Sequence, residues 1–167
     1  MTRAQSTWGL EPDSATYRTV LGHFATGVTI VTALDGDEPV GMACNSFTSV
    51  SLDPPLVLFC AAKNSTTWPR IQNAHNFAVN VLAEDGEAVC RVFATKGADR
   101  FATVTHNRAT TGAPILADAL AYIDCVTEAE HDAGDHVIVV GRVVELGYAT
   151  EGKPLLFYRG GYGHYEI

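Results

Sequence analysis

Residues 41–68 read GMACNSFTSVSLDPPLVLFCAAKNSTTW and join a polar stretch to an apolar one. Short hydroxyl and amide side chains are crowded between Asn45 and Ser51, and no acid or base interrupts them. Backbone N–H groups and small polar side chains can therefore face whatever binds there. This pattern indicates a cradle for a large, flat, polar heterocycle.

The same stretch predicts a seat for a phosphate. The DPP break at 53–55 is followed by an apolar run at 56–60, and Asn64 or Ser65 stands where the next helix would be capped. The free N–H groups of a helix start attract anions, and Lys63 lies beside them in the sequence. The ligand of the cradle is therefore expected to be anionic.

Periodicity and turn residues place the remaining elements. Asp13 or Ser14 can cap a first helix that should pack on a sheet, and its apolar residues recur at helical spacing. They are Tyr17, Val20, Leu21 and Phe24. Further helices are expected after Ser65 and over 84–93, and residues 103–114 are expected to form a surface loop.

Most of the other patterned segments indicate β-strands. They are residues 28–32, 39–43, 56–60, 77–82, 121–126, 137–144 and 155–158, with hairpin turns at 35–37 and 132–135. Many strands with short turns and few helices predict a closed antiparallel barrel with peripheral helices.

The composition is typical of one globular domain. The chain has 167 residues, 47% of them hydrophobic, and domains usually hold roughly 100–200 residues. A net charge of −8 at pH 7 argues against a nucleic-acid partner. No apolar run approaches the ~20 residues that span a bilayer. We expect a cytoplasmic protein without a membrane partner, with residues 1–12 as a flexible segment before a domain at 13–167.

The cysteines and histidines do not predict a metal site. Four scattered cysteines form no C-x-x-C pair, and six histidines form no H-E-x-x-H motif. The cysteines are expected to be reduced and mostly buried as small hydrophobic residues. A dinucleotide-binding G-x-G-x-x-G motif between a strand and a helix is also absent.

Four segments in this order resemble the short NAD(P)H:flavin oxidoreductases, the reductase components of two-component flavin-dependent monooxygenases. The segments are YRTVLGHFATGVTIVT at 17–32, the cradle, GDHVI at 134–138 and PLLFYRG at 154–160. The resemblance implies a mainly β fold, the antiparallel split β-barrel of flavin reductase-like proteins with a few peripheral helices.

The resemblance also implies an enzyme that transfers a hydride from NADH, or alternatively NADPH, to N5 of FAD or FMN. FAD is slightly favoured. The main task of the protein is then to hold the hydride-donating carbon of the nicotinamide within about 3–3.5 Å of flavin N5, and no general base or other catalytic residue is needed. The implied flavin-binding residues are Asn45, Ser46, Phe47, Ser49, Val50, Ser51, Ala62, Lys63, Ser65, Thr66, Arg100 and Phe101. The implied nicotinamide-binding residues are His136, Tyr158, Arg159, Gly160 and Gly161.

Each group of residues also has an ordinary structural interpretation. The cradle could be a polar edge strand, and Lys63 with Ser65 a surface lysine beside a helix cap. Arg100 could form a helix salt bridge next to Phe101 as a core aromatic, and His136 could be a turn residue.

The resemblance further implies a homodimer that supplies diffusible reduced flavin to a partner monooxygenase. A non-catalytic flavin-binding or carrier protein on the same barrel is the alternative, and NADH consumption on addition of free flavin would distinguish the two. A small oligonucleotide-binding barrel would need a basic aromatic face, which this acidic chain does not display.

Overall fold

A computed structural model describes residues 7–166 as three helices and twelve strands. The helices are Ser14–Leu21 (α1), Trp68–Ala74 (α2) and Glu87–Ala94 (α3). The strands are Thr26–Gly27 (β1), Thr29–Asp35 (β2), Glu38–Cys44 (β3), Thr48–Leu52 (β4), Pro55–Ala62 (β5), Asn76–Leu82 (β6), His106–Arg108 (β7), Pro114–Leu116 (β8), Ala119–Ala133 (β9), His136–Tyr148 (β10), Leu155–Tyr158 (β11) and Gly161–His164 (β12).

Seven of these strands form one antiparallel sheet in the order β3-β2-β6-β9-β10-β5-β4. Its edges are β3 and β4, which follow one another in the chain but share no ladder in the described structure. The mainly β fold is confirmed, and the sheet is split between β3 and β4. The prediction of a closed barrel is therefore wrong, because residues 45–47 leave β3 as an irregular segment before β4 pairs with β5.

Two apolar clusters fill the space enclosed by the sheet. Phe59, Phe77 and Trp68 pack edge to face in the first cluster, and Phe93 belongs to the second. The close packing requires a glycine at position 141, where a Cβ atom would lie 2.4 Å from Cζ of Phe77. The register of β10 against β9 shifts at this same position. The core therefore fixes where β10 bends.

The cap of α1 is confirmed, but its expected packing on the sheet is not. The Asp13 carboxylate accepts hydrogen bonds from the N–H groups of Ala15 and Thr16 at 2.9 and 3.1 Å. No residue of α1 is buried, and Phe24 just beyond it is 75% exposed. The helical spacing of its apolar residues gives this segment an apolar face, which the described residues leave exposed.

The C-terminal half contains more structure than the sequence indicated. Residues 103–114 were expected to be loop, but β7 and β8 form a hairpin there and Ala113 is fully buried. Thr111 attaches this hairpin to Asp124 of β9 by two hydrogen bonds. The glycine-rich tail adds β12, which pairs with β11.

The N-terminal segment expected to be flexible is only partly described. Residues 1–6 lie outside the described residues, and residues 7–12 form no helix or strand. No helix in the described part of the chain is long and apolar enough to cross a membrane.

Candidate functional site

A groove of about 430 Å³ lies at the split of the sheet, between β3 and the C-terminal end of β5, and we call it the first groove. It is lined by Met42, Ala43, Cys44, Asn45, Ser46, Cys60, Ala62, Asn64, Ser65, Thr66, Thr67, Phe93, Ala94, Lys96, Arg100 and His136. Seven of the predicted site residues are among them: Asn45, Ser46, Ala62, Ser65, Thr66, Arg100 and His136. Strand ends, a helix start and a loop far apart in sequence thus meet at one groove.

Ser46 links the two sides of the split. Its hydroxyl accepts a hydrogen bond from the N–H of Cys60 at 2.9 Å and donates to the carbonyl oxygen of Cys60 at 3.2 Å. The Cys44 thiol is also within hydrogen-bonding distance of this hydroxyl, with Sγ 3.1 Å from Oγ of Ser46. Burial raises the pKa of the Cys44 thiol. The Ser46 side chain thus joins the segment after β3 to β5 at the split.

The segment from β5 to α2 forms the polar end of the first groove. Oγ of Ser65 accepts from the N–H groups of Thr67 and Trp68 at 3.2 and 3.1 Å, so it caps the helix start as predicted. Thr67 is the residue that precedes the helix, and its own side chain makes no capping bond. Lys63 does not line the groove, because its ammonium pairs with Asp132 at 2.9 Å.

Arg100 brings positive charge to this end of the groove. Its Nη1 donates to the carbonyl oxygen of Gly41 at 2.6 Å and to the hydroxyl of Thr67, and Nη2 donates to the carbonyl oxygen of Thr95 at 3.2 Å. All three acceptors are neutral, and its buried Nε has no partner in the described structure. Burial lowers the pKa of Arg100. The predicted alternative, a helix salt bridge, is not formed by the described residues.

His136 begins β10 and reaches the first groove beside Ala62, its neighbour across the ladder. The Asp135 carboxylate lies 2.8 Å from Nδ1 of His136. A carboxylate can only accept, so Nδ1 carries the hydrogen and Nε2 remains free to accept from a ligand. This hydrogen bond is the main reason why the pKa of Asp135 is lowered.

Several predicted residues lie outside the first groove. Phe47 packs on the first core cluster, and Ser49, Val50 and Ser51 belong to the edge strand β4. The second half of the cradle therefore forms an edge strand, and its expected contact with flavin stays a prediction. Phe101 stacks edge to face between Phe93 and His106.

The predicted nicotinamide residues other than His136 lie around the turn between β11 and β12. They are Tyr158, Arg159, Gly160 and Gly161, and none lines the first groove. Phe157 and Tyr162, which flank them, line a smaller cavity of about 220 Å³ that shares Ala43, Cys44, Asn45 and Ala94 with the first groove.

Sequence reasoning missed lining residues on β3, α3 and the loop after α3. Met42, Phe93 and Ala94 carry no polar signal, and their side chains read as core. Lys96 is the exception, since a cation in a polar loop near Arg100 could have been assigned to the end of the groove that is expected to bind the phosphate of the ligand. It forms no ion pair within residues 7–166.

A second groove, of about 610 Å³, continues from the first one. It is lined by Glu38, Pro39, Val40, Gly41, Thr66, Thr67, Arg70, Gly97, Ala98, Asp99, Arg100 and Phe101. The two grooves share Thr66, Thr67 and Arg100. No group of three or more His, Cys, Asp or Glu side chains suited to a metal occurs among the described residues.

The profile of the flavin reductase like domain matches residues 21–166. The chain belongs to this family. The reductase subunit HsaB of a flavin-dependent monooxygenase from Rhodococcus jostii is 49% identical over 150 residues, covering 90% of this chain and 77% of the relative. An FMN reductase (NADH), SmoA, from Agrobacterium fabrum is 41% identical over 154 residues, covering 92% and 87%.

Solved structures of flavin reductases have the same fold. An NADH:FAD oxidoreductase from Streptomyces globisporus superposes with a TM-score of 0.91 and 38% identity, covering 96% of this chain and 98% of that one. The same oxidoreductase has been solved in complex with NAD and FAD fragments. Membership of the flavin reductase family confirms the expected flavin and NADH chemistry and the split-barrel fold.

Proposed function

We propose that this chain reduces free flavin with NADH at the first groove and supplies the reduced flavin to a partner monooxygenase. One observation carries the proposal: a single groove between β3 and the end of β5 is lined by neutral hydrogen-bonding groups, by His136 and by Arg100, which has no acidic partner among the described residues. These are the groups that a polar heterocycle with an anionic tail requires.

The residues of the first groove fit a flavin. Asn45 and Ser46 present amide and hydroxyl groups without charge, which suits the polar edge of an isoalloxazine ring. Arg100 has a buried Nε that lacks an acceptor, and Lys96 forms no ion pair within the described residues. A phosphate placed between these cations would supply the missing acceptor and gain charge-assisted hydrogen bonds.

A bound flavin supplies an electron-accepting ring atom, N5, to which a nicotinamide can deliver a hydride. The side chains around the groove only orient the two rings, because the hydride carries both electrons and needs no protein proton. His136 can accept a hydrogen bond at Nε2, and the amide group of a nicotinamide is a suitable donor. Asp135 holds the imidazole in that tautomer.

Steady-state assays test the function directly. We expect the purified protein to consume NADH only when FAD, FMN or riboflavin is added, because the proposed reaction takes flavin as a free substrate. If fluorescence titration shows that the protein binds flavin but neither NADH nor NADPH is consumed, the protein is a carrier and the proposal of an enzyme is wrong.

Transfer of the product follows from the shape of the site. The first groove opens at the split, and neutral side chains dominate its walls, so the reduced flavin can leave without a protein partner. Reductase and oxygenase separated by a flavin-permeable membrane under low oxygen should still yield hydroxylated product. If intact reduced flavin crosses but product forms only in a shared compartment, direct docking replaces diffusion.

The apolar face of α1 supports a homodimer. Tyr17, Val20, Leu21 and Phe24 are 49–75% exposed on one chain, and Leu146 of β10 is 65% exposed. Such surface is unusual for a monomer and is typical of an interface between copies. Light scattering should give twice 17.8 kDa, and Phe24→Lys should lower that mass. A mass of one chain for the wild type would contradict the dimer.

A further inference from the structure

Two of the four cysteines line the first groove from opposite sides of the split. Cys44 is the last residue of β3, and Cys60 belongs to β5. Cys90 and Cys125 line no part of this groove. Hydride transfer requires that the two rings be positioned, and it uses no thiol. The two thiols of the first groove therefore have no part in the proposed reaction.

The two cysteines meet at the hydroxyl of Ser46. Oγ of Ser46 lies 3.1 Å from Sγ of Cys44, and the N–H of Cys60 donates to the same oxygen at 2.9 Å. A single oxygen atom thus separates the thiol of Cys44 from the backbone of Cys60. Burial is the main cause that raises the pKa of Cys44, and the nearby Cys60 thiol adds to the rise. The two thiols are therefore close enough to affect one another.

The side chain of Cys60 points into the first groove and away from the core. Successive side chains of a strand point to opposite faces, and its neighbours Phe59 and Ala61 are fully buried. Cys60 itself is partly exposed, whereas the other three cysteines are buried. A small solute that enters the groove therefore reaches the thiol of Cys60 first.

The surroundings of Cys60 favour oxidation. Lys96 and Arg100 line the first groove, and no Asp or Glu among the described residues does so. Cysteines that are oxidised selectively are partly exposed and lie in electropositive surroundings, often beside a second thiol that resolves the first product. Cys60 meets the first two conditions, and Cys44 is the second thiol.

The proposed reaction supplies an oxidant at the same place. Reduced flavin that meets no oxygenase reacts with O₂, which takes up two electrons and two protons and becomes hydrogen peroxide. The peroxide is formed close to where the reduced flavin leaves, and Cys60 lines that groove. This source of peroxide rests on the proposed function, whereas the chemistry of the two thiols does not depend on it.

We propose that Cys60 and Cys44 are a peroxide-sensitive pair whose disulfide closes the first groove to flavin. The sulfur of Cys60 attacks hydrogen peroxide, the O–O bond breaks, and a sulfenic acid and one water result. The sulfur of Cys44 then attacks the sulfur of Cys60, the S–O bond breaks, and a second water leaves. In total the two thiols lose two electrons and two protons, which the peroxide gains.

The disulfide closes the groove because its two sulfurs come from opposite walls. A bond between Cys44 and Cys60 spans the space beside Asn45 and Ser46, where the polar edge of the flavin ring is proposed to lie. It also draws the end of β3 against β5. The reductase then stops when no oxygenase consumes its product, and a thiol reductant reopens the groove.

Peroxide treatment of the purified protein tests the pair without any flavin. After removal of the peroxide by catalase and alkylation under denaturing conditions, two of the four thiols should be lost, with the mass lower by two hydrogen atoms. Peptide mapping should join Cys44 to Cys60. Cys90→Ser is the matched control and should give the same bond, because serine keeps the contact with Tyr162 outside the first groove. Four surviving thiols, any other pairing, or oxidation of Cys60 alone overturns the proposal.

Fluorescence titration tests the closure. The treated wild type should bind FMN with a dissociation constant raised about tenfold or more, and dithiothreitol should restore the original value. The same treatment should not change the dissociation constant of Cys60→Ser. If this variant does not fold, the reversal by dithiothreitol still decides for the wild type. A disulfide that forms and leaves FMN binding unchanged shows that the proposal is wrong.

Turnover in air without an oxygenase tests whether the reaction supplies the oxidant. The rate of NADH consumption should fall with time, and catalase should prevent the fall. A constant rate without catalase, or an equal fall with it, contradicts closure by the peroxide of the reaction. Failure of the proposed function looks different, since no flavin would then support NADH consumption while peptide mapping of the peroxide-treated protein still reports on the two thiols.

Discussion

Arg100 and Thr67 are joined by a hydrogen bond from guanidinium Nη1 to hydroxyl Oγ1. The bond ties the loop after α3 to the residue that precedes α2, 33 positions away. Thr67 is buried and Arg100 half-buried, so the contact is shielded from solvent. The position of the cation at the junction of the grooves therefore depends on two elements that are distant in sequence.

Arg100→Lys should weaken the binding of FMN. A lysine keeps the charge, but its ammonium is a single nitrogen that cannot reproduce the planar fork by which Nη1 and Nη2 reach Gly41, Thr67 and Thr95, and it has no donor in the place of Nε. The expected loss is about 1–3 kcal/mol, measured by fluorescence titration at fixed salt. Arg142→Lys is the matched control, because Arg142 pairs with Glu128 on the exposed face of β10. If the control weakens binding as much, Arg100 is not the phosphate ligand.

His136→Ala should raise KM for NADH more than KM for flavin. The imidazole lines the first groove, where its free Nε2 can accept from the nicotinamide amide. Asp135→Asn is the companion variant, since it keeps the ring but loses the carboxylate that selects the tautomer. A smaller shift in the same direction is expected for it. Equal changes in both KM values for His136→Ala would indicate a structural role in the hairpin instead.

Ser46→Ala should destabilise the fold at the split. The substitution leaves the N–H and carbonyl groups of Cys60 without the hydroxyl that bonds both of them. Leaving partly buried backbone groups unsatisfied costs about 1–3 kcal/mol of the free energy of unfolding. Urea denaturation measures this loss, and Ser49→Ala on the exposed edge strand β4 should cost much less. Similar losses in the free energy of unfolding for both variants would mean that the Ser46 hydroxyl does not stabilise the contact with Cys60.

Asp124 should make stability depend on pH in an identifiable window. Burial raises the pKa of Asp124 above its ordinary 3.8, although hydrogen bonds from Thr111 at 2.9 and 2.5 Å oppose the rise. A carboxyl with a higher pKa when folded favours the folded state while it is protonated. Its contribution to the free energy of unfolding is thus complete below pH 3.8 and is lost as the pH rises through the folded-state pKa.

Asp124→Asn removes this titration and keeps an oxygen for Thr111. Relative to the variant, the wild type should lose stability as the pH rises through that window, as measured by urea denaturation at a series of pH values. Thr111→Val should extend the loss to higher pH, because it removes the hydroxyl hydrogen bond that lowers the pKa of Asp124 and leaves the backbone N–H bond in place. Parallel stability profiles for wild type and Asp124→Asn would contradict the assignment.

Apolar β-type runs made most of the sheet predictable. Residues 56–60 and 77–82 form β5 and β6 because their side chains are buried in the core or against it. The helical spacing of Tyr17 and Phe24 predicted a helix correctly but could not say what covers its apolar face. Residues 103–114 lacked such a pattern, and their hairpin is held instead by Thr111 on the distant Asp124.

The first groove was predicted in part, and the second was not. Asn45 and Ser46 were found because polar residues between apolar strands are unusual, and the family resemblance gave them a role. Lys63 was assigned to the phosphate from its place beside Ser65, and its pairing with Asp132 of β9 could not be predicted from the local sequence. Arg70 and Ala98 meet only through tertiary structure, so no local pattern could have joined them.

The hydroxyl of Ser46 has a consequence for the rates at which ligands bind and dissociate. Elsewhere in the sheet, widening the gap between two strands would break a row of backbone bonds, whereas at the split only a side-chain bridge holds β5 to the segment after β3. Local opening there needs no unpairing of strands. We expect the amide hydrogen of Cys60 to exchange with solvent faster than those of its neighbours in β5, and bound flavin to slow that exchange.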